Sequence, residues 1–402
     1  MLTTSYVMAD KLMDQSDVRA QWETPVRTDA TMLTRHRAPL FSLTGLRFFA
    51  ASYVILFHTR LGSSLVEHGY QHAGRFMMNS YSAVTLFFML SGFILAYNYR
   101  GQIESRQHAY RFCEARFSRI WPAYAFSLLC SSFPSQTIPS FRLALATLGM
   151  VQAWNPLHPE YGNAWNGVCW TLSVEGFFYL AFPAIQVLLD KFKNSQLVWT
   201  LVALMLAGVL FNTSGHNDSA RYSGIWWMLP SPIIHLPEFV SGVLLGNLYL
   251  SSSSSQGVLP GRGADARSRE ARLFPASALT YVGLILTVVT LSTAQNRWIS
   301  LSIPTFGALL YGLAAERSML GGFLSTKLLI LGGEISYAMY LLRTPLHGWI
   351  GAFPALRSNA LVNLLYLPLG LVPLSLFSFY CVERPARQAL RRFFATLQNR
   401  TT

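Results

Sequence analysis

Residues Leu43–Gly62 read LTGLRFFAASYVILFHTRLG. The stretch is apolar enough to cross a bilayer, yet it carries Arg47 near one end and His58 near the other. Eleven residue steps separate them. On an α-helix that is about three turns, so the two side chains fall nearly on one face and roughly 16 Å apart along the axis. An ionisable residue inside a spanning helix is expensive and points to function or to pairing.

The rest of the chain repeats this pattern of apolar blocks. Of 402 residues, 52% are hydrophobic and 12% charged, with a mean hydropathy of +0.32. The reading is an all-α, polytopic transmembrane helix bundle. About ten spans are expected: Leu43–Phe57, Ser82–Tyr99, Ile120–Phe133, Trp170–Leu189, Val198–Phe211, Leu229–Leu250, Pro275–Leu291, Leu301–Ala315, Leu331–Ile350 and Leu361–Cys381. An eleventh apolar piece, Leu143–Trp154, has only twelve residues, which favours a re-entrant or interfacial segment.

The net charge of +13 raises nucleic acid as a partner. The basic residues, however, fall between the hydrophobic blocks, where they orient helices. With both termini cytoplasmic and Ile120–Trp154 crossing once in net terms, the inner segments hold 23 of the 31 Lys and Arg. This bias argues against nucleic-acid binding. The four cysteines, Cys113, Cys130, Cys169 and Cys381, have no paired spacing, so neither a metal centre nor a disulfide framework is expected.

The domain organisation follows from polarity. Residues 1–40 read as a mobile cytoplasmic tail, 41–387 as the membrane domain, and 388–402 as a basic cytoplasmic tail. Within the membrane domain, 251–274 begins with a serine run and reads as a flexible cytoplasmic linker.

With this topology the costly polar residues sort by depth. Arg47, Arg116, Arg119, Glu334, Glu383 and Arg384 fall toward the inner side, whereas His58 and Glu175 fall toward the outer side. Arg116 and Arg119, one helical turn apart, form a pair suited to gripping phosphate, although basic residues there also serve ordinary positive-inside orientation. Ser91 and Gly92 make a small-residue spot for a backbone or an acyl chain. Ser336, Tyr337, Glu383 and Arg384 are expected to pair structurally at the inner mouth. His235, beside Glu238, is a further outer candidate; His68, His72 and His158 read as solvated loop residues.

Six motifs recur in order: Arg-x10-His at Arg47 and His58, FFMLSGF at Phe87–Phe93, RFSRIWP at Arg116–Pro122, WTLSVEGFFY at Trp170–Tyr179, GEISYAMYL at Gly333–Leu341 and VERP at Val382–Pro385. Together they resemble the membrane-bound acyltransferase 3 family, whose members O-acylate sugars, polysaccharides and some macrolides. The resemblance runs from Phe41 to Arg387 and implies a ten-helix core. One position departs from it: family members commonly carry histidine where this chain has Arg343, with His347 one turn later.

The resemblance implies an O-acyltransferase of the cytoplasmic membrane that uses acyl-CoA, with acetyl-CoA expected, as co-substrate and a carbohydrate hydroxyl as acceptor. Arg47, Arg116, Arg119, Ser91 and Gly92 would bind the donor. His58 would act as general base or transient acyl carrier, with Glu175 orienting it. The competing reading is a transporter or flippase without covalent chemistry, since intramembrane Arg, His and Glu also build substrate pathways.

Overall fold

The computed structural model describes residues 37–58, 61–135, 139–158, 160–215, 229–254, 266–294, 296–315, 318–352 and 367–401. The expected N-terminal tail up to residue 36, residues 255–265 of the linker and the first part of the last expected span lie outside these residues. Among the described residues the fold is all-α, 84% helix with no strand.

Helix α1 (Phe41–Phe57) carries the opening stretch and ends on His58. Two short helices, α2 (Leu61–Glu67) and α3 (Gln71–Met78), lead through a 3-10 turn (Asn79–Ser82) into α4 (Ala83–Tyr99). Then come the 30-residue α5 (Arg106–Ser135), the short α6 (Phe141–Leu148), α7 (Trp170–Leu189) and α8 (Asn194–Gly215). The second half has α9 (Leu236–Ser254), α10 (Ala266–Thr293), α11 (Ser302–Ala314), the short α12 (Met319–Leu324) and α13 (Lys327–Gly351). The chain closes with α14 (Val372–Phe377), set between π-helical pieces Leu367–Leu371 and Ser378–Glu383, and with α15 (Arg384–Thr401).

Among the described residues two helical runs, Gln71–Tyr99 and Trp170–Leu189, are long and apolar enough to cross a membrane. They become three if α1 and α2, bent by 62° from each other, form one span. Asn194–Val209, Ser277–Thr293 and Ile299–Ala314 are shorter apolar helices. Helix α5 starts well before Ile120, so Arg116 and Arg119 sit within one continuous helix.

The Leu143–Trp154 piece does not form a spanning helix. Helix α6 has eight residues, a rise of about 12 Å against a hydrocarbon core of about 30 Å. Met150 then takes a positive φ of 58°, which ends the helical run. Irregular backbone in a core requires hydrogen-bond partners. Tyr124 Oη donates to the Thr147 carbonyl (2.7 Å), and Gln152 Nε2 donates to Tyr124 Oη (3.0 Å) and the Cys169 carbonyl (3.1 Å). Asn166 Nδ2 donates to the Leu341 carbonyl (3.1 Å), tying the segment to α13.

Two helix crossings are equally tight: α1 against α13, where a Cβ on Gly333 would stand 1.9 Å from the Thr44 oxygen, and α4 against α9. Gly242 and Gly246, a small-xxx-small pair, face the carbonyls of Met89 and Phe93, and a Cβ on Gly242 would stand only 1.9 Å from the Met89 oxygen. Gly92 returns the contact against Phe239. Beside this crossing the Phe239 ring stacks on Phe178 of α7 at 4.5 Å, so three helices are locked at one depth.

Candidate functional site

Glu175, in the second turn of α7, is the centre of a polar network. Its carboxylate accepts from Ser91 Oγ of α4 (3.1 Å) and, through a very short bond, from Tyr179 Oη one turn further along α7. It also lies within electrostatic reach of Arg47 on α1 and Arg116 on α5. Four helices therefore converge on one carboxylate.

The guanidinium groups around it are poorly supplied with acceptors. Arg116 donates from Nη2 to Tyr99 Oη (2.8 Å) and lies 5.2 Å from the centre of that ring, but its buried Nε has no partner. Among the described residues, Arg47, Arg119, Arg387 and Arg391 make no hydrogen bond or ion pair. Glu334 lies within electrostatic reach of Arg47, Arg119, Arg384 and Arg387. Glu383 accepts from Ser378 Oγ (3.2 Å) and faces Arg119, Arg387 and Arg47. Burial pushes the Glu383 carboxyl up to about 7, with the Ser378 bond and the arginines opposing. Arg387 is pushed down to about 9, first by burial and then by Arg119, Arg391 and Arg116. Six guanidinium groups thus share a neighbourhood with three carboxylates, and positive charge is in excess. Such a cradle suits a ligand bearing several anionic oxygens, because each guanidinium offers a planar fork of donors.

His58 stands apart from this network. It caps the C-terminal end of α1, stacks edge-on to Phe57 at 4.9 Å, and lies within electrostatic reach of Arg343 and His347 of α13. Arg343 is 8% exposed, with Nη2 donating to Thr344 Oγ1 (3.2 Å). The position where the family resemblance expects histidine is therefore filled by a cation acting on His58.

The matching model, that of the family described as an acyltransferase domain, aligns with residues 40–383. The chain belongs to the acyltransferase 3 family. Acyltransferase MdmB of Streptomyces mycarofaciens is 27% identical over 321 residues, covering 75% of this chain and 77% of that protein. O-acetyltransferase OatA of Staphylococcus aureus (strain NCTC 8325 / PS 47) is 24% identical over 335 residues, 77% of this chain but 51% of its own length. The regulator of hypoxia-inducible factor 1 of Caenorhabditis elegans is 23% identical over 272 residues, 56% of this chain and 54% of that protein. The chain thus spans about half the length of the latter two. No solved structure matches it. The protein is an enzyme that transfers groups other than aminoacyl groups, and its relatives support O-acyl transfer.

In this acyltransferase 3 protein two sequence readings need correction. Glu175 does not accompany His58: Tyr179 and Ser91 hold it in the network of Arg47 and Arg116, so the division into an outer His58–Glu175 pair and an inner arginine group fails. Gly92 is taken up by the α4–α9 crossing, where any side chain would meet the Phe239 backbone, so on that side the neighbour of this small-residue spot is a helix backbone and not an acyl chain. Ser336 bonds back to the Gly333 carbonyl of its own helix (2.7 Å), and Tyr337 Oη donates to the Ile120 carbonyl (2.8 Å), joining α13 to α5.

One member of the Glu175 network was not singled out by the sequence. Tyr179, the last residue of WTLSVEGFFY, sits one turn from Glu175, and that spacing was the available signal. His235 and Glu238, named together from the sequence, do meet at the start of α9: His235 Nδ1 lies 3.0 Å from Glu238 Oε2, and Thr85 Oγ1 donates to the buried Glu238 Oε1 (3.1 Å). The His235 ring is flanked by Phe88 at 5.2 Å and Trp170 at 5.5 Å. Arg100 closes the other end of the α4–α9 pair through Ser251 Oγ (2.7 Å) and Asp190 (3.8 Å).

Proposed function

We propose that this protein moves an acyl group, with acetyl as the expected one, from a cytoplasmic acyl-CoA to a hydroxyl of a carbohydrate acceptor at the cell surface. The observation that carries the reading is the convergence of Arg47, Arg116 and Arg119 with too few acceptors around them, an arrangement that favours the phosphates of a CoA thioester. Glu175, bonded to Ser91 and Tyr179, supplies a negative charge within electrostatic reach of Arg47 and Arg116 that steadies them for that donor. The names of the relatives, an acyltransferase and an O-acetyltransferase, support acyl transfer in the same direction.

His58 is the base. As the acceptor oxygen attacks the thioester carbonyl, the imidazole takes the hydroxyl proton. The new C–O bond forms, the C–S bond breaks, and CoA leaves as the thiol with a proton returned by the imidazolium. Arg343 supplies positive charge to the oxyanion of the intermediate. The donor cradle and His58 are joined by α1, over roughly 16 Å from Arg47, a reach that suits the extended arm of CoA. The bundle is read as ten spans with both termini cytoplasmic, supported by the distribution of Lys and Arg along the chain.

The test is acyl-CoA consumption by purified protein with a sugar acceptor. His58→Ala should lower the rate by roughly 10²–10⁴-fold with the protein still folded in detergent, and Arg116→Ala with Arg119→Ala should raise the acyl-CoA KM. Activity at the unsubstituted level in the His58 variant would overturn the assignment. Cysteine labelling at Glu67 and Asn163 should find both on the extracytoplasmic side; cytoplasmic labelling of both would overturn the topology.

A further inference from the structure

Helix α15 begins at Arg384, one residue beyond the segment that the family model matches. It does not trail away. Gln398 Nε2 donates to Glu114 Oε2 of α5 (2.6 Å), and the Phe394 ring packs edge-on against Phe117 at 6.5 Å. Two anchors one turn apart pin the helix along the first half of α5.

That docking brings one row of like charge against another. Arg387 and Arg391, at i and i+4, share a face of α15. Arg116 and Arg119, at i and i+3, share a face of α5. Arg387 lies within electrostatic reach of both Arg116 and Arg119, and so does Arg391. Neither α15 residue has a hydrogen bond or ion pair among the described residues, and the Nε of Arg387 and of Arg116 are buried without an acceptor. Glu383 is the carboxylate nearest in sequence, and Ser378 and three arginines share its influence. Arg391 is exposed at the rim, but the buried Nε atoms of Arg387 and Arg116 face one another's charge without an acceptor, an arrangement that an anion between the two helices relieves.

We propose that α5 and α15 together form one binding site for a ligand carrying several phosphates, with Arg387 and Arg391 gripping it from the side opposite Arg116 and Arg119. This rests on the proposed acyl-CoA donor and deepens it: the C-terminal helix is a wall of the donor site, and the phosphorylated nucleotide end of CoA is the moiety it takes. Four guanidinium groups from two helices match a ligand with separate phosphate groups better than they match a single one. A lipid phosphate headgroup offers the same chemistry, so the test separates the two sources.

The experiment measures the Kd of free CoA for the purified full-length protein, at several salt concentrations, in neutral phosphatidylcholine nanodiscs and in nanodiscs containing phosphatidylglycerol. The double variant Arg387→Gln, Arg391→Gln should bind CoA at least 10-fold more weakly and with a flatter salt dependence. Its ligand-free Tm should equal or exceed that of the unsubstituted protein, because repulsion is relieved, and Arg387→Lys with Arg391→Lys should restore part of the affinity. CoA affinity unchanged in the Gln variant but lost in Arg116→Ala, Arg119→Ala would refute the role of α15 while leaving the donor site standing. Unchanged affinity in both would sink the donor site itself. A Gln variant that keeps its CoA affinity but loses a phosphatidylglycerol-dependent rise in Tm would assign the arginines to lipid, against the proposal.

Discussion

Replacing Gly242 with alanine places a Cβ 1.9 Å from the Met89 carbonyl oxygen and within 2.9 Å of the Met89 Cα, all backbone atoms of the facing helix. No rotamer change can relieve such a contact. Real Cβ atoms essentially never come under 3.0 Å, so α4 and α9 must part by about 1 Å at this depth. Overpacking of this kind costs about 1–3 kcal/mol. The same movement stretches the 3.1 Å bond from Thr85 to Glu238 beyond hydrogen-bond range, and a buried acceptor left short costs about 1–3 kcal/mol more. The expected loss is therefore about 2–6 kcal/mol. Gly322 is the internal control: it also lies in a helix, but a Cβ there meets nothing within 4 Å, and alanine should gain up to about 1 kcal/mol from helix propensity. Thermal unfolding of the two variants in detergent reads the contrast. Equal stability of Gly242→Ala and Gly322→Ala would show that the α4–α9 crossing is not as tight as the geometry requires.

Glu175→Gln keeps an acceptor for Tyr179 or Ser91 but removes the negative charge facing Arg47 and Arg116; turnover should fall roughly 10–10²-fold, the equivalent of one charge-assisted hydrogen bond, as read by acyl-CoA consumption per folded molecule. Glu238→Leu leaves His235 Nδ1 and Thr85 Oγ1 without their acceptor and should destabilise the protein by about 1–3 kcal/mol per orphaned group, measured by unfolding in detergent. Glu383 has its carboxyl raised from 4.5 to about 7, so the folded state holds a proton that the unfolded state has already released. Its contribution to stability is fully present below about pH 4.5 and lost as pH rises through about 7. Relative to Glu383→Gln, the unsubstituted protein should lose Tm between pH 5 and pH 8; a difference that does not change over that interval would show that Glu383 is not buried as described.

Much of the architecture was legible along the chain. Trp170–Leu189 was expected as a span and is one continuous helix with those ends, because twenty largely apolar residues with Cys169 before them and Asp190 after leave few alternatives. Leu143–Trp154 was expected not to cross, and α6 is eight residues long. The GVLLG run at Gly242–Gly246 carried the signal for a very close helix crossing, yet small residues at that spacing do not name their partner helix. Ser91 and Gly92, adjacent in sequence, face different neighbours: one bonds Glu175 and the other abuts Phe239. A step of about 100° per residue separates those roles, and α4, apolar nearly all round, carries no periodicity from which its rotation could be read.

Helix class, the approximate ends of several apolar segments and the identity of the costly buried charges are local properties. They depend on composition over a dozen or more residues, so the sequence was enough to determine them. The partners of those charges depend on which faces meet after the helices have turned about their axes and packed. Only the tertiary structure decided that Glu175 joins Arg47 and Arg116 while His58 keeps company with Arg343, and that Arg387 and Arg391 face Arg116 and Arg119. Charges act through distance and burial, and both are set by contacts between residues far apart in the chain.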